Sequence, residues 1–446
     1  MLFIIFGFFM NEELVTMKMN KIINLTIGSL MLLSVAFSQS ALFLLIAPGA
    51  RAGGMGEAQV ALADDSYATY WNPAGLGFQS GYEVSGMHVN WLPGLVDDMY
   101  YDFLAGRAPV EGLGVFGGHL IYLNAGEQQY TDANGVSLGT FLTYFTSGAF
   151  SYATMISENS SVGFNFKILY QHLTDSDVQV GTEKTKGTAT NFGFDVGYLS
   201  KGYLGGKLDI GAMIANLGPK VIFNDEEQAD PMPTNLKLGF NMRVYDSKYN
   251  RLNVVYDVNK LLVGEYASMD WDGDLLIGGY NDDGSENQSG NYNKDGQNEL
   301  AHTDSWWAGI FTSFLDDWYL GGDRDMDGDR VIGGWNLIEG SDSTYTELSD
   351  AGHYNEGGDL EIGNSDDRSP ADEFKSLIHS VGLEYWYNEM FAIRGGYYYD
   401  SEGKITTPTV GAGLRYGNYG FDFGYTVAEE THPLNNTMRF SLMLKF

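Results

Sequence analysis

The sequence predicts an all-β protein: a 14-stranded antiparallel transmembrane β-barrel with an N-terminal plug segment and a large acidic extracellular insertion. Three observations carry that prediction. Apolar and polar residues alternate with period two through most of the chain, the segments that do so number fourteen, and an export leader precedes them. Val162, Phe164, Phe166, Ile168 and Tyr170 alternate with Gly163, Asn165, Lys167, Leu169 and Gln171. Phe391, Ile393, Gly395, Tyr397 and Tyr399 alternate with Ala392, Arg394, Gly396, Tyr398 and Asp400. One face is rich in Phe and Tyr, and the other carries Lys, Arg, Asp and Asn. That division suits a wall between lipid and a polar lumen better than a soluble sandwich, which also alternates.

The leader comes first. Met17-Lys18-Met19-Asn20-Lys21 forms a basic start, Ile22 to Phe37 an apolar run, and Ala36-Phe37-Ser38 a small-residue cleavage site after Ser38. Residues 1–38 therefore read as a secretory signal peptide, with initiation expected at Met17 or Met19. The plug segment spans 39–80 and the barrel 81–446.

Within the plug, Ala47 to Phe78 fits neither a strand nor an amphipathic helix. Gly53, Gly54, Met55 and Gly56 mark a small-residue stretch suited to close packing, and Gln59 to Tyr70 is expected to hold a short helix. Trp71, Asn72 and Pro73 read as a turn into the first strand. The fourteen segments follow at 82–91, 99–108, 112–123, 147–156, 160–172, 188–199, 206–216, 233–245, 250–259, 376–387, 390–400, 405–416, 419–427 and 436–446. An even number closes an antiparallel barrel with both ends on one side. The alternating stretch Phe440 to Phe446 resembles the last strand of outer-membrane barrels.

Composition agrees. The 446 residues include 58 Gly, 29 Tyr, 26 Phe and no Cys, which favours a large β protein with tight turns and excludes disulfides and thiolate metal sites. A formal charge of −33 argues against nucleic-acid binding, which needs a basic surface. The acids concentrate in 264–374, where 27 of them face Lys294, Arg324, Arg330 and Arg368 and supply 23 of the 33 excess charges. This block reads as one long extramembrane loop between strands nine and ten. Inside it, His302 to Trp318 is expected to form a short amphipathic helix behind a Thr-Asp-Ser cap.

The insertion also carries the sharpest local motif. Asp323, Asp325, Asp327 and Asp329 place carboxylates at alternate positions around Gly328, which resembles the start of a Ca²⁺ loop. Gly334 stands at the twelfth position, where a bidentate Glu would complete that loop. Asp270, Asp272 and Asp274 repeat the pattern, and Asn291 to Gly296 repeats its spacing. Ca²⁺ binding and a merely solvated acidic loop weigh equally on this evidence, and no cofactor is required. The seven histidines have no metal-ligand spacing, and no nucleophile elbow, phosphate loop or dinucleotide fingerprint occurs. No catalytic constellation is expected.

Ala47 to Gly56 with Trp71-Asn72-Pro73-Ala74 resembles the plug of the PorV/PorQ family, barrels of the type IX secretion system related to FadL-like fatty acid transporters. Pro233 to Leu238, Asp257 to Leu262, Val381 to Tyr387, Arg394 to Tyr397, Gly411 to Tyr416 and Pro433 to Thr437 extend the similarity. It covers most of 41–446 except 265–372, and Gly49 departs from the Asp that the family often has there. The resemblance implies a FadL-like barrel with a plugged lumen in the outer membrane of a Gram-negative-type cell, and a non-enzymatic role. It implies shuttling of secreted cargo, recognised by its type IX C-terminal domain, from the translocon to an attachment complex with a PorU-like sortase. A FadL-type channel for long-chain fatty acids or other hydrophobic small molecules is the alternative.

Overall fold

The computed structural model describes residues 41–131, 137–180, 183–223, 229–262, 264–314, 323–325, 328–337, 345–347, 374–401, 403–428 and 432–446. The leader and much of the acidic block lie outside them.

Fourteen strands form one closed barrel, each antiparallel to both neighbours. They are β1 Glu83–Asn90, β2 Tyr100–Val110, β3 Gly114–Thr131, β4 Ser137–Ser157, β5 Ser160–Val180, β6 Glu183–Gly202 and β7 Leu208–Leu217. The second half comprises β8 Asn235–Asp246, β9 Asn250–Leu261, β10 Ile378–Tyr387, β11 Phe391–Asp400, β12 Ile405–Tyr416, β13 Tyr419–Thr426 and β14 Met438–Lys445. Closure is made by β1 on β14, in register from Glu83 with Lys445 to Val89 with Arg439. Closing the sheet leaves no edge, which lets the backbone satisfy itself in lipid.

The alternation seen in the sequence becomes the two faces of this wall. Phe164, Phe166 and Ile168 are exposed outward, while Asn165 and Lys167 are buried within the lumen. The strand count agrees with the sequence, but four lengths do not. The expected segments 112–123, 147–156, 160–172 and 188–199 extend to strands of 18, 21, 21 and 20 residues, mostly on the side of the long loops. About ten residues suffice to cross a bilayer, so these hairpins continue as sheet beyond it. The short turns, such as Asn388–Met390 and Gly417–Asn418, lie on the side where β1 begins and β14 ends. By the usual barrel polarity this is the periplasmic side.

The insertion begins after β9 and returns at β10. The expected helix over 302–318 is not formed. His302–Thr303 instead pairs with Glu265–Tyr266, and only Gly309–Thr312 is helical, with 315–318 outside the described residues. Non-local pairing has overridden a local helix pattern. Gly309 packs closely on Gly264, and Trp307 and Phe311 remain exposed.

Candidate functional site

Residues 41–78 run inside the barrel, and their side chains are almost all buried. Regular structure is sparse here. Helical turns cover Leu42–Leu45, Ala50–Gly53, Ala68–Trp71 and Pro73–Phe78. The helix expected across Gln59–Tyr70 is confined to its last residues. Most of that stretch is held instead by side chains of the wall. The Asp257 carboxylate on β9 accepts from the backbone N–H of Gln59 and Val60, at 2.7 and 2.8 Å. Glu83 on β1 accepts from Ser66 N–H at 2.6 Å. The Asn165 amide on β5 donates to Thr69 O at 2.7 Å. Buried backbone needs such partners, and a segment that finds them in the wall does not need to be helical.

Gly53, Gly54, Met55 and Gly56 are brought against β11, β12 and β14. A Cβ on Gly54 would lie 2.8 Å from Gly411 Cα, and one on Gly53 would meet the Arg439 side chain. Gly56 adopts φ +65° and presses on the Tyr397 backbone, so both conformation and space call for glycine. Met55 is fully buried against Gly382 and Val255. Trp71, Asn72 and Pro73 sit against the opposite wall. Asn72 caps the turn through Ala74 N–H at 3.1 Å, and its amide donates to Tyr198 O on β6 at 3.0 Å. The Trp71 indole donates to Pro48 O and ties the two ends of the segment together.

One set of groups escaped the sequence reading. Arg51 donates twice to Glu384 on β10, both at 2.8 Å, and also binds Asp64 and Asp65. Glu384 in turn accepts from Arg394 at 2.9 Å, and Arg394 reaches Asp422 at 2.8 Å, which Arg415 also holds. A second cluster joins Lys167 to Asp195 at 2.8 Å and to Asn216. Inward charges at alternate strand positions were visible in the sequence. Their partners, up to 333 residues apart, were not.

Two cavities flank the segment. The one toward the long loops measures 440 Å³ and is bordered by Leu42, Leu45, Leu261, Ile378 and Lys237. Lys237 is 6% exposed and lies over the rings of Tyr70 and Trp71, at 4.8 and 5.2 Å from their centroids. The other, 310 Å³ and strongly polar, lies at the periplasmic mouth.

In the insertion, Asp270, Asp272 and Asp274 each bring a carboxylate oxygen within 4.8 Å of the others. They are the sole group of three or more His, Asp or Glu so disposed among the described residues. Asp270 is buried and accepts from the N–H groups of Gly273, Asp274 and Leu275. Burial raises its pKa, and the Asp274 and Asp272 charges add to this, against those hydrogen bonds. Glu299, also buried, accepts from Trp271 and Gly278 N–H, and burial pushes it up to about 7.

The second Asp motif is brought alongside the first. Asp323 pairs through its backbone with Asp270, and Leu276 bridges Val331. Asp325 accepts from Gly328 and Arg330 N–H, and Asp329 from Val331 N–H. Asp327 lies outside the described residues. A further turn of this type, Asn281 to Ser285, went unread in the sequence. Its Gly284 has φ +78°, like Gly273 at +75°, Gly296 at +81° and Gly328 at +80°. The oxygen-only donor set of Asp270, Asp272 and Asp274 fits a hard divalent cation.

A closed barrel with an apolar outer wall and a folded segment inside it defines an outer-membrane β-barrel protein with an occupied lumen. The family described as "Type IX secretion system protein PorV" matches residues 34–267, and the chain belongs to that family. The matched span takes in Ala47–Phe78 and β1 to β9, and ends within the first residues of the acidic block. Family and fold are those of a secretion or transport barrel of the outer membrane. No curated protein matches the chain. Solved structures similar to it include the toluene transporter TbuX of Ralstonia pickettii, at 16% identity and TM-score 0.45, covering 91% of this chain and all of that one. The toluene transporter TodX of Pseudomonas putida aligns at 12% and 0.43, covering 89% and 96%. A FadL homologue of Pseudomonas aeruginosa aligns at 9% and 0.39, covering 89% and 98%.

Proposed function

We propose that this barrel is a non-enzymatic carrier in type IX secretion. It binds cargo through the cargo's type IX C-terminal domain and hands it from the translocon to a surface attachment complex containing a PorU-like sortase. The observation that carries this reading is the occupied lumen. Residues 41–78 are anchored to β1, β5, β6, β9, β10 and β14, and luminal cavities of 440 and 310 Å³ lie on opposite sides of them. A lumen so filled leaves the outer surface as the working face. The strands that rise past the membrane and the insertion enlarge that face. Cross-linking in intact cells tests the proposal: a translocon subunit or C-terminal-domain cargo co-purifies if it is right. Recovery of fatty acid with no protein partner overturns it.

The second reading is a FadL-type channel for long-chain fatty acids or other hydrophobic molecules. The 440 Å³ cavity favours it, because Leu42, Leu45, Leu261 and Ile378 stand beside the buried ammonium of Lys237. Uptake of a fluorescent fatty acid, lost in Lys237→Met, would establish it. We also propose that Asp270, Asp272 and Asp274 hold Ca²⁺, with Asp325 and Asp329 in the adjoining loop. Titration calorimetry with Ca²⁺ decides this: no heat at about millimolar ion, the weak end of such sites, sinks it.

A further inference from the structure

On the outer wall, at the periplasmic end of the seam between β14 and β1, lies an apolar groove of 400 Å³. Its outward rows are Val84 and Gly86 on β1, Leu442 and Leu444 on β14, and Tyr419 and Phe421 on β13. Gly86 stands opposite Leu442 in the ladder, and its missing side chain leaves the dent. The groove faces hydrocarbon, so an acyl chain is what meets it.

Just inside the rim is the polar cavity of 310 Å³, and the two share Tyr419 and Met443 as borders. Only the turn Gly417–Asn418 separates them, with Tyr416 paired directly to Tyr419. This cavity carries both signs of charge. Arg51, Arg251, Arg415 and Lys445 line it on one hand, and Asp64, Asp65 and Glu389 on the other; Arg51 is paired with both aspartates, and Arg251 with Glu389 at 2.9 Å. Its wall includes Trp386, 5% exposed, whose ring lies against the guanidinium groups of Arg394 and Arg415, at 5.4 and 5.3 Å. The Trp386 indole N–H is buried and has no acceptor among the described residues, and Arg251 Nε is likewise unmet among them. Buried donors of this kind ordinarily find a partner.

We propose that these two concavities form one site for a zwitterionic phospholipid of the periplasmic leaflet. An acyl chain lies along the Gly86 groove, and the head group folds over the Gly417–Asn418 turn. The phosphate accepts from Arg251, Arg415 and Trp386, as guanidinium pairs with phosphate through charge-assisted hydrogen bonds. The ammonium takes the place beside Glu389 that Arg251 gives up to the phosphate. A purely anionic head would draw Arg251 from Glu389 and put no cation in its place, so the site selects phosphoethanolamine over phosphoglycerol.

Native mass spectrometry of the full chain, incubated in detergent with either phosphatidylethanolamine or phosphatidylglycerol, tests this. One phosphatidylethanolamine per barrel is expected, favoured over phosphatidylglycerol by about tenfold, the effect of one charge-assisted contact. Gly86→Phe fills the groove and lowers occupancy by either lipid about tenfold. Glu389→Lys, on an exposed turn, reverses the head-group preference, and heat-modifiable migration on gels confirms that each variant is folded. Where Gly86→Phe fails to fold, Glu389→Lys alone decides. The proposal is overturned if the wild type retains no lipid, if it holds phosphatidylglycerol as well as phosphatidylethanolamine, or if the folded variants bind like the wild type.

Discussion

The lumenal segment and the acidic insertion are built from the same materials and stabilised in opposite ways. Both are irregular, both are dense in glycine, and both depend on carboxylates accepting hydrogen bonds. In the lumen those carboxylates belong largely to the wall, and cations meet them: Glu384 lies between Arg51 and Arg394, and Asp195 beside Lys167. In the insertion the carboxylates of the two Asp motifs accept mainly from the N–H groups of their own loops, as Asp270 does from Gly273 to Leu275. The first arrangement ties distant parts of the chain together. The second folds a loop locally and leaves net negative charge behind. The difference lies in where the countercharge comes from: another strand in one case, solution in the other.

Removing one side of the comparison altogether has the largest effect. Deleting 47–78 while keeping the leader removes at once the partners that the segment supplies to Asp257, Glu384 and Glu83, and leaves those carboxylates facing an open lumen. An inserted but leaky or misassembled barrel is expected, read out by antibiotic sensitivity and secretion assays. If neither permeability nor secretion changes, the segment is not a plug.

A single substitution at the centre of the lumenal network comes next. Arg51→Ala strips Glu384 of one guanidinium and leaves Asp65 buried without it, and breaking a buried pair from one side costs about 3–5 kcal/mol. The gel-shift melting temperature should fall clearly. The same change at Arg330, whose guanidinium donates to the backbone carbonyls of Ile277 and Gly290 in the insertion, should leave it unmoved.

The smallest effect concerns pH and belongs to the insertion. Burial raises Glu299 from an ordinary 4.5 to about 7, so the folded insertion binds a proton more tightly than the unfolded one. Its contribution to stability is complete below the lower value and is lost as pH rises through the upper one. Protection of residues 269–299 against hydrogen exchange, taken relative to the intrinsic amide rate at each pH, should therefore be greater at pH 5 than at pH 8. Glu299→Gln should abolish that difference. Equal protection at both pH values in the wild type would remove the distinction drawn here.

The sequence displayed the wall more clearly than its contents. Alternation in segments such as Val162 to Tyr170 is a local signal, imposed on each strand by lipid on one side and the lumen on the other. All fourteen strands were therefore legible. Strand lengths were not, because β3 to β6 keep pairing beyond the lipid, where no hydrophobic requirement marks their limits. The path of Gln59 to Ser66 was illegible for a different reason: its hydrogen-bond partners are Asp257 and Glu83, which no local pattern announces. The small-residue run Gly53 to Gly56 did signal close packing, though not that the Tyr397 backbone would be the contact. In the insertion, the repeated Asp motif disclosed two similar loops but not that Asp270 would pair with Asp323. The Trp-rich stretch after His302 looked helical because nothing nearby reveals its strand partner, Glu265–Tyr266.

The unequal strands also give the molecule a front and a back. β1 and β14, eight residues each, meet at the seam, while β4 and β5 have twenty-one. At about 3.3 Å per residue, the rim climbs by roughly 40 Å of strand from one to the other. A barrel of even height presents the same profile from every direction in the plane of the membrane. This one has a low sill at the seam and a high wall four strands round from it, to one side. A large partner lowered against it is turned to one compass bearing before any side chain has been read.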